Sequence, residues 1–346
     1  MDKVDHEQVK KIATAGKVDY LTGKRVAIIG AGPAGLTAAY DLVRKGHQVE
    51  IFEGLDKAGG MTRFGIPEYR MPYDKLDQDV DVITSLGVKI HYNCWIGKDR
   101  SMDELRKEFD AVVLAIGLQQ GRSTRIPGSE HTQVRAAVDL LRMITLGESF
   151  EIPRSAVVIG GGNVAMDIAR SMARLQKKQF GAVQVTVTAL EPREQFLADP
   201  VEIKEAMEEG VDIIDSRGPQ ACTLDEKGNL NGLCTWHVLS IFDEDHRFAP
   251  KYDDTDEQVH TGEMVIEAIG QMADVSLLGE ELTEALEWNR GRLKVDEAGR
   301  TSEAWLWSAG DCVNGPDVVH AVADGHRVAA SIDAYLGSKV TAEASA

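Results

Sequence analysis

Only four cysteines, Cys94, Cys222, Cys234 and Cys312, occur in 346 residues, and none stands in a C-x-x-C pair. An iron-sulfur cluster takes four closely organised thiolates and a disulfide scaffold takes far more cysteine than this, so neither is expected, nor is dithiol exchange. Buried, inert thiols are the expectation at all four positions. Long apolar runs are missing too. Nothing approaches the roughly 20 residues of a spanning helix, and the opening MDKVDHEQVKKIATAGK is too charged for a secretion signal. Basic stretches are the third absence. With 38 Lys and Arg against 56 Asp and Glu the net charge is -18, and no cation cluster could track the phosphates of a nucleic acid. The excess acid, in runs such as Asp253 to Glu257 read as solvated loop, keeps the surface soluble. What remains is 43% hydrophobic and 27% charged. That is ordinary soluble composition, long enough for about two domains, and is read as cytoplasmic with no membrane partner.

The strongest local signal is Arg25 to Ile29 (RVAII), a strand-like run followed by Gly30-Ala31-Gly32-Pro33-Ala34-Gly35 and a helical pattern through Arg44. Gln48 to Phe52 reads as the next strand, and Glu53 stands at its end, 23 residues beyond Gly30. Each glycine has a task. Gly30 makes the tight turn, Gly32 lets a pyrophosphate approach the backbone, and Gly35 lets helix and strand pack closely. The helix N-terminus offers unpaired N–H groups and its positive dipole end to the phosphates, and the Glu53 carboxylate can accept hydrogen bonds from an adenosine ribose.

The pattern recurs at Ser155 to Ile159 (SAVVI), followed by Gly160-Gly161-Gly162-Asn163-Val164-Ala165 and a helix towards Leu175. The third position is Ala165, a tolerated variant. Gln184 to Thr188 supplies the following strand, and Glu191 falls near its end, 31 residues past Gly160. Two such fingerprints imply two dinucleotide sites. The expected fold is therefore α/β, with two Rossmann-like domains, the second inserted into the first. Ala111 to Gly117 (AVVLAIG) and Met264 to Gly270 (MVIEAIG) are apolar strands placed where the chain crosses between them. Trp305 to Asp311 adds a late strand with Trp305 and Trp307 in the core, and Pro316 to Leu336 reads as a closing helix. The expected division is an arm over 1–21, a first domain over 22–130 and 268–346, and a second over 131–267. His320 and His326 lie six apart, which is not the i, i+4 spacing of a helical metal pair.

These motifs resemble the two-dinucleotide flavoprotein reductases, and within them the glutamate synthase small-subunit group, which includes the NADPH-binding part of dihydropyrimidine dehydrogenase. The resemblance is carried by GAGPAG at 30–35, GGMTRFGIPEYRMP at 59–72, GGGNVAMDIAR at 160–170, Ala268-Ile269-Gly270-Gln271 and Gly310-Asp311, and it covers about residues 22–338. It implies FAD at the first fingerprint, on Gly30, Gly32, Pro33, Ala34, Gly35 and Glu53, and a nicotinamide nucleotide at the second, on Gly160, Gly162, Asn163, Val164 and Ala165; Glu191, beyond the following strand, joins that set from the residues themselves. Gly60, Met61 and Arg63 would line the flavin, Asp311 after Gly310 would contact its ribityl or phosphate region, and the helix near Val319 would point at its pyrimidine edge. Ile96, Ala115, Gly117 and Gly270 complete the implied cofactor set, with no catalytic acid or base and no metal ligand. Against these stand plainer readings: turn residues at Gly60 and Gly65, a surface charge at Arg63, a helix cap at Asp311.

Two departures from the group matter. Its members commonly carry an N-terminal domain with two [4Fe-4S] clusters, whereas some 20 residues precede Leu21 here, and these are expected to form a frayed arm or, through Val4, Val9 and Ile12, a docking stripe. The second lies after the strand that follows GGGNVAMD. NADPH-using relatives place two arginines there, and this chain has Leu190-Glu191, an acid that suits the 2′-OH of NAD and repels a 2′-phosphate. A slip of two residues would bring Arg193 to the same place. The implied function is hydride exchange between nicotinamide and flavin, with electrons passed to or from an iron-sulfur subunit and a catalytic subunit of a larger redox complex. Complexes of the glutamate synthase, aldehyde oxidoreductase or 2-oxoacid oxidoreductase kind fit. A free-standing NADH diaphorase and a non-catalytic flavin-binding assembly subunit are the alternatives. A flavin monooxygenase is disfavoured by the lack of an F-x-G-x-x-x-H motif between the fingerprints.

Overall fold

The computed structural model describes residues 6–289, 291–315 and 317–343. The chain forms two compact units: Met1–Arg63, Glu68–Gln119 and Ala273–Ala346 make the first, and Phe64–Pro67 with Gln120–Met272 make the second. The crossovers therefore fall at 119/120 and 272/273 rather than at 130/131 and 267/268. The physical reason is a short antiparallel pairing of Gln120–Gly121 with Gln271–Met272, which holds both connections in the second unit.

The first unit is built on a five-stranded parallel sheet in the order Leu306–Ser308, Ala111–Leu114, Arg25–Ile29, Gln48–Phe52, Lys89–His91. Val26, Ala27, Ile28 and Ile29 are all buried, as are Ala111 to Leu114, which is why both strands read as unbroken apolar runs: a parallel sheet is covered on both faces. The helix Pro33–Arg44 and the closing helix Val318–Glu343 pack on one another through small residues. A Cβ at Gly325 would meet the Ala34 carbonyl oxygen at 2.6 Å and Thr37 Cβ at 2.7 Å, so only glycine permits this approach. Pro316, where that helix was expected to begin, lies outside the described residues. Trp307 is fully buried and donates its indole N–H to Ser331 Oγ at 2.9 Å, and Trp305 is half-buried against the opposite face. The expected frayed arm is instead a helix, His6–Ala15. Its Ala13 is buried, Val9 packs on the core, and His6 and Lys10 both pair with Asp81 at 2.8 and 2.5 Å. Ile12 of the proposed stripe is exposed, and Val4 lies outside the described residues.

The second unit repeats the plan, with parallel strands in the order Val134–Ala136, Met264–Glu267, Ala156–Ile159, Val185–Thr188, Val211–Ile214. The helix Asn163–Phe180 buries Ala165, Met166, Ile168, Ala169, Met172 and Ala173 against that sheet. Buried Gln176 ties it down, donating to Pro153 O at 3.0 Å and accepting from Gln184 N–H at 2.8 Å. A three-stranded antiparallel sheet, Arg217–Leu224, Leu230–Phe242 and Phe248–Thr261, completes the unit. Asp253 to Glu257, read above as solvated loop, lie in its last strand. That strand is an edge, where charged side chains are solvated while the backbone pairs on one side only.

Candidate functional site: two glycine-rich loops

At the first loop, strand Arg25–Ile29 ends and Gly30 turns with φ +101, its N–H donating to Phe52 O at 2.9 Å. A side chain here would collide with the Ala115 carbonyl oxygen, while Ala115 N–H donates to Ile29 O at 2.8 Å. Gly35 is equally constrained, because a Cβ would collide with the Gly30 carbonyl. Gly32 differs: a Cβ there would meet only Gly60 Cα, at 3.8 Å. The helix begins with Pro33 at its first turn and Gly32 as cap, so no side chain satisfies its leading N–H groups. Elsewhere the chain does cap, as at Met102–Glu108, where Ser101 and Glu104 form a reciprocal capping box.

Around this loop stand the other expected residues. Glu53 is buried, with one carboxylate oxygen accepting Ala31 N–H at 2.8 Å and the other Leu55 N–H at 2.9 Å. Burial pushes its pKa above the usual range and these backbone donors oppose the rise. Further lone pairs remain on both oxygens for hydroxyl donors. The Gly59-Gly60 turn closes on the loop through Gly59 N–H to Ala31 O at 2.8 Å, and a Cβ at Gly60 would meet Gly32 Cα at 2.8 Å, so Gly60 is a close-approach residue as well as a turn. Gly310 packs on Ala34, and next to it Asp311 keeps Oδ1 buried with no partner. Burial and the neighbouring Asp317 carboxylate raise the Asp311 pKa. It caps no helix, since the closing helix starts at Val318. The orphan oxygen is a buried acceptor that the chain itself does not satisfy.

Three further members of the expected set, Arg63, Ile96 and Val319, differ in exposure. Arg63 is neither a surface charge nor a free group. It is buried, donates to Ala58 O at 2.7 Å, pairs with Asp77 and lies over the Tyr73 ring at 5.3 Å. The Ile96 side chain is in the core with Phe52 and Leu105. Val319 is exposed, whereas Met61 is half-buried at the start of Met61–Phe64, and Gly117 turns with φ +60 two residues after Ala115. His320 pairs with Asp317 and His326 with Asp41, separate carboxylates, and no group that could hold a metal ion occurs among the described residues.

The second loop repeats the two strand-to-turn hydrogen bonds of the first. Gly160 turns with φ +141, donates to Thr188 O at 2.8 Å and would collide with the Ala268 carbonyl if it bore a side chain, while Ala268 N–H donates to Ile159 O at 2.9 Å. Ala115 and Ala268, which open the two Ala-Ile-Gly motifs, therefore do the same thing: each closes the floor of a glycine turn. Gly270 follows with φ +106 and accepts Arg122 N–H at 3.0 Å. Ala165 is fully buried in the place of Gly35, and Val164 is half-buried beside it. Gly162 caps the helix with no Cβ contact within 4 Å. Glu191 reaches the loop, its Oε2 lying 3.4 Å from where a Gly161 Cβ would stand. Arg193 donates to Ile213 O at 2.5 Å and lies over the ring of Phe196, which itself borders Gly161. At Gly32 and Gly162, then, the protein leaves backbone faces that its own atoms do not fill, each before an uncapped helix start. That is the form a dinucleotide pyrophosphate fits.

Comparison with known proteins agrees with this geometry. Over 326 residues the chain is 39% identical to the NADP(+)-dependent formate dehydrogenase subunit beta of Moorella thermoacetica, covering 92% of this chain and 45% of that protein. It is 35% identical over 314 residues to the NAD-dependent dihydropyrimidine dehydrogenase subunit PreT of Escherichia coli K12, covering 90% and 68%. It thus spans about half the length of the first of these relatives. Among solved structures, FprA of Mycobacterium tuberculosis in complex with NADPH shares the fold, with a TM-score of 0.79, 17% identity, and coverage of 92% of this chain and 86% of that one. Residues 24–325 match the family described as pyridine nucleotide-disulphide oxidoreductase. The chain belongs to that family of two-dinucleotide reductases.

Proposed function

We propose that this chain is an NAD(H)-dependent FAD oxidoreductase subunit that exchanges electrons with an iron-sulfur partner of a larger redox complex. The observation that carries the reading is the pair of open, uncapped glycine turns, one in each unit and built on the same hydrogen bonds. When bound, FAD would supply hydride exchange with a nicotinamide and one-electron exchange with a cluster. The chain's own residues bind and orient. Gly30, Gly32, Pro33, Ala34 and Gly35 would take the FAD pyrophosphate, Glu53 the adenosine ribose, and the unpartnered Asp311 oxygen a ribityl hydroxyl. Gly160, Gly162, Val164 and Ala165 would take the pyrophosphate of NAD. The two relatives above carry opposite nucleotide preferences in their names, so the choice rests on this chain's residues. Glu191 borders the loop while the Arg193 guanidinium is engaged by Ile213 O, which favours a free 2′-OH over a 2′-phosphate. Despite the family's name, no C-x-x-C pair is present to exchange thiols.

The test is direct. Purified chain should contain about one FAD and no iron, and anaerobic NADH should bleach it. Flavin that is retained but not bleached by either NADH or NADPH would leave an assembly subunit in place of an oxidoreductase.

A further inference from the structure

The segment 192–199 leads from the strand Val185–Thr188 towards the helix Pro200–Glu208, and it is tied back onto the second glycine loop at two points. Ala198 N–H donates to Gly161 O at 3.0 Å, and Asp199 N–H donates to Asn163 Oδ1 at 2.8 Å. Asp199 is also the cap of the following helix, its carboxylate accepting Val201 N–H at 2.8 Å. The amide oxygen of Asn163, the residue straight after the open Gly162, is thus bonded to the chain's own backbone. At the other end, Ser216 N–H donates to Glu191 O at 3.1 Å and Arg193 N–H to Asp215 at 3.2 Å. Held at both ends, the segment presents Phe196 to Gly161, beside Glu191, which precedes it. A Cβ there would meet Phe196 Cδ1 at 3.3 Å and Glu191 Oε2 at 3.4 Å.

We infer that Asn163 is a positioning residue for nucleotide selection: by clasping Asp199 it closes 192–199 over the glycine loop, so that a ribose arriving there meets Glu191 and not Arg193. The inference rests on the reading of this loop as the nicotinamide-nucleotide site. Its logic is one of competing charges two residues apart. Glu191 repels a 2′-phosphate and Arg193 would attract one, so selectivity depends on which of them the segment shows to the ligand. Arg193 donates to Ile213 O and lies over Phe196, within the segment whose far end the clasp holds. Asn163 is exposed, so its replacement removes the clasp without opening the core.

Full-length chain with its flavin, and its Asn163→Ala and Asn163→Asp variants, should be titrated with ADP-ribose and with 2′-phospho-ADP-ribose, neither of which can reduce a flavin. Amide hydrogen exchange at Asp199 would be followed in parallel. The unmodified chain should prefer ADP-ribose. Asn163→Ala should cut that preference about tenfold and speed Asp199 exchange by a similar factor, the scale of one lost hydrogen bond. Asn163→Asp keeps an acceptor for Asp199 N–H, so it should retain the preference and the slow exchange while weakening both ligands equally, through negative charge near their pyrophosphates. Equal weakening of both ligands by Asn163→Ala, with preference and exchange unchanged, would overturn the inference and put Asn163 against the nucleotide itself. If neither ligand bound the unmodified chain, the assignment of the loop would fall first and the clasp with it.

Discussion

A single side chain decides most at positions 190, 191 and 222. Leu190→Arg with Glu191→Arg replaces repulsion of a 2′-phosphate by two charge-assisted bonds, and should shift preference towards NADPH by about 1 to 3 kcal/mol, read as the ratio of flavin-bleaching kcat/KM values. Rapid bleaching of the unmodified protein by NADPH would contradict the role given to Glu191. The cysteines make a second case. Burial raises the pKa of all four, and Cys222 is pushed up to about 11, with Glu267 and Glu130 adding to the effect. A raised thiol pKa means less thiolate at any pH below it. At pH 8 only about a thousandth of Cys222 is ionised, against about a quarter of free cysteine, and its reaction with a thiol-titrating disulfide reagent should be slower than that of free cysteine by roughly one to two orders of magnitude. Unfolding should release four titratable thiols, and a fast-reacting thiol in the native protein would show that the burial argument fails.

The glycines of each turn act as an element and separate by task. Gly32 and Gly162 face space that the protein leaves empty, so Gly32→Val should abolish FAD retention while the chain still folds, and Gly162→Val should stay yellow yet fail to respond to NADH. Flavin content after gel filtration and anaerobic bleaching separate the two defects; loss of FAD in Gly162→Val with nucleotide affinity intact would mean the loops are assigned the wrong way round. Gly35→Ala is the contrast. Its methyl meets the Gly30 carbonyl, so the cost, about 1 to 3 kcal/mol of overpacking, should appear in thermal unfolding before any ligand is added. These turns were legible from sequence because strand, glycines, helix and acid lie within about 30 consecutive residues. What closes them was not. Ala115 and Ala268 reach Gly30 and Gly160 from strands far along the chain, and their Ala-Ile-Gly motifs read only as crossings. The antiparallel sheet over 217–261 escaped for a different reason: its edge strand carries Asp253, Asp254, Asp256 and Glu257, and charge on a solvated edge looks like loop. Arg63 reads equally as a surface charge until the partner Asp77, on a separate helix, is in view.

Taken whole, the molecule holds two nucleotide-type turns, no cysteine spacing suited to a cluster and a charge of -18. No helix among the described residues is long and apolar enough to cross a membrane. Electrons delivered by a nicotinamide as a pair must leave such a protein singly if a cluster takes them, and the cluster must lie on another module. The charge limits how that module is met. A freely diffusing acidic iron-sulfur protein would be repelled at low ionic strength, whereas a stably docked partner has no diffusional encounter to make at each turnover. The two cases respond oppositely to salt. Electron transfer to a separate acidic carrier should accelerate as salt rises from about 0.01 to 0.15 M and the screening length falls from about 30 to 8 Å, while transfer inside a preformed complex should change little. We expect the second behaviour, with NADH-dependent reduction of iron-sulfur centres in material isolated gently from its native source and a partner that co-elutes. An artificial dye can still take electrons from the isolated chain, since it collides with the flavin unaided. Isolation of a lone chain with full activity towards its physiological acceptor would refute the subunit reading and leave a free-standing diaphorase.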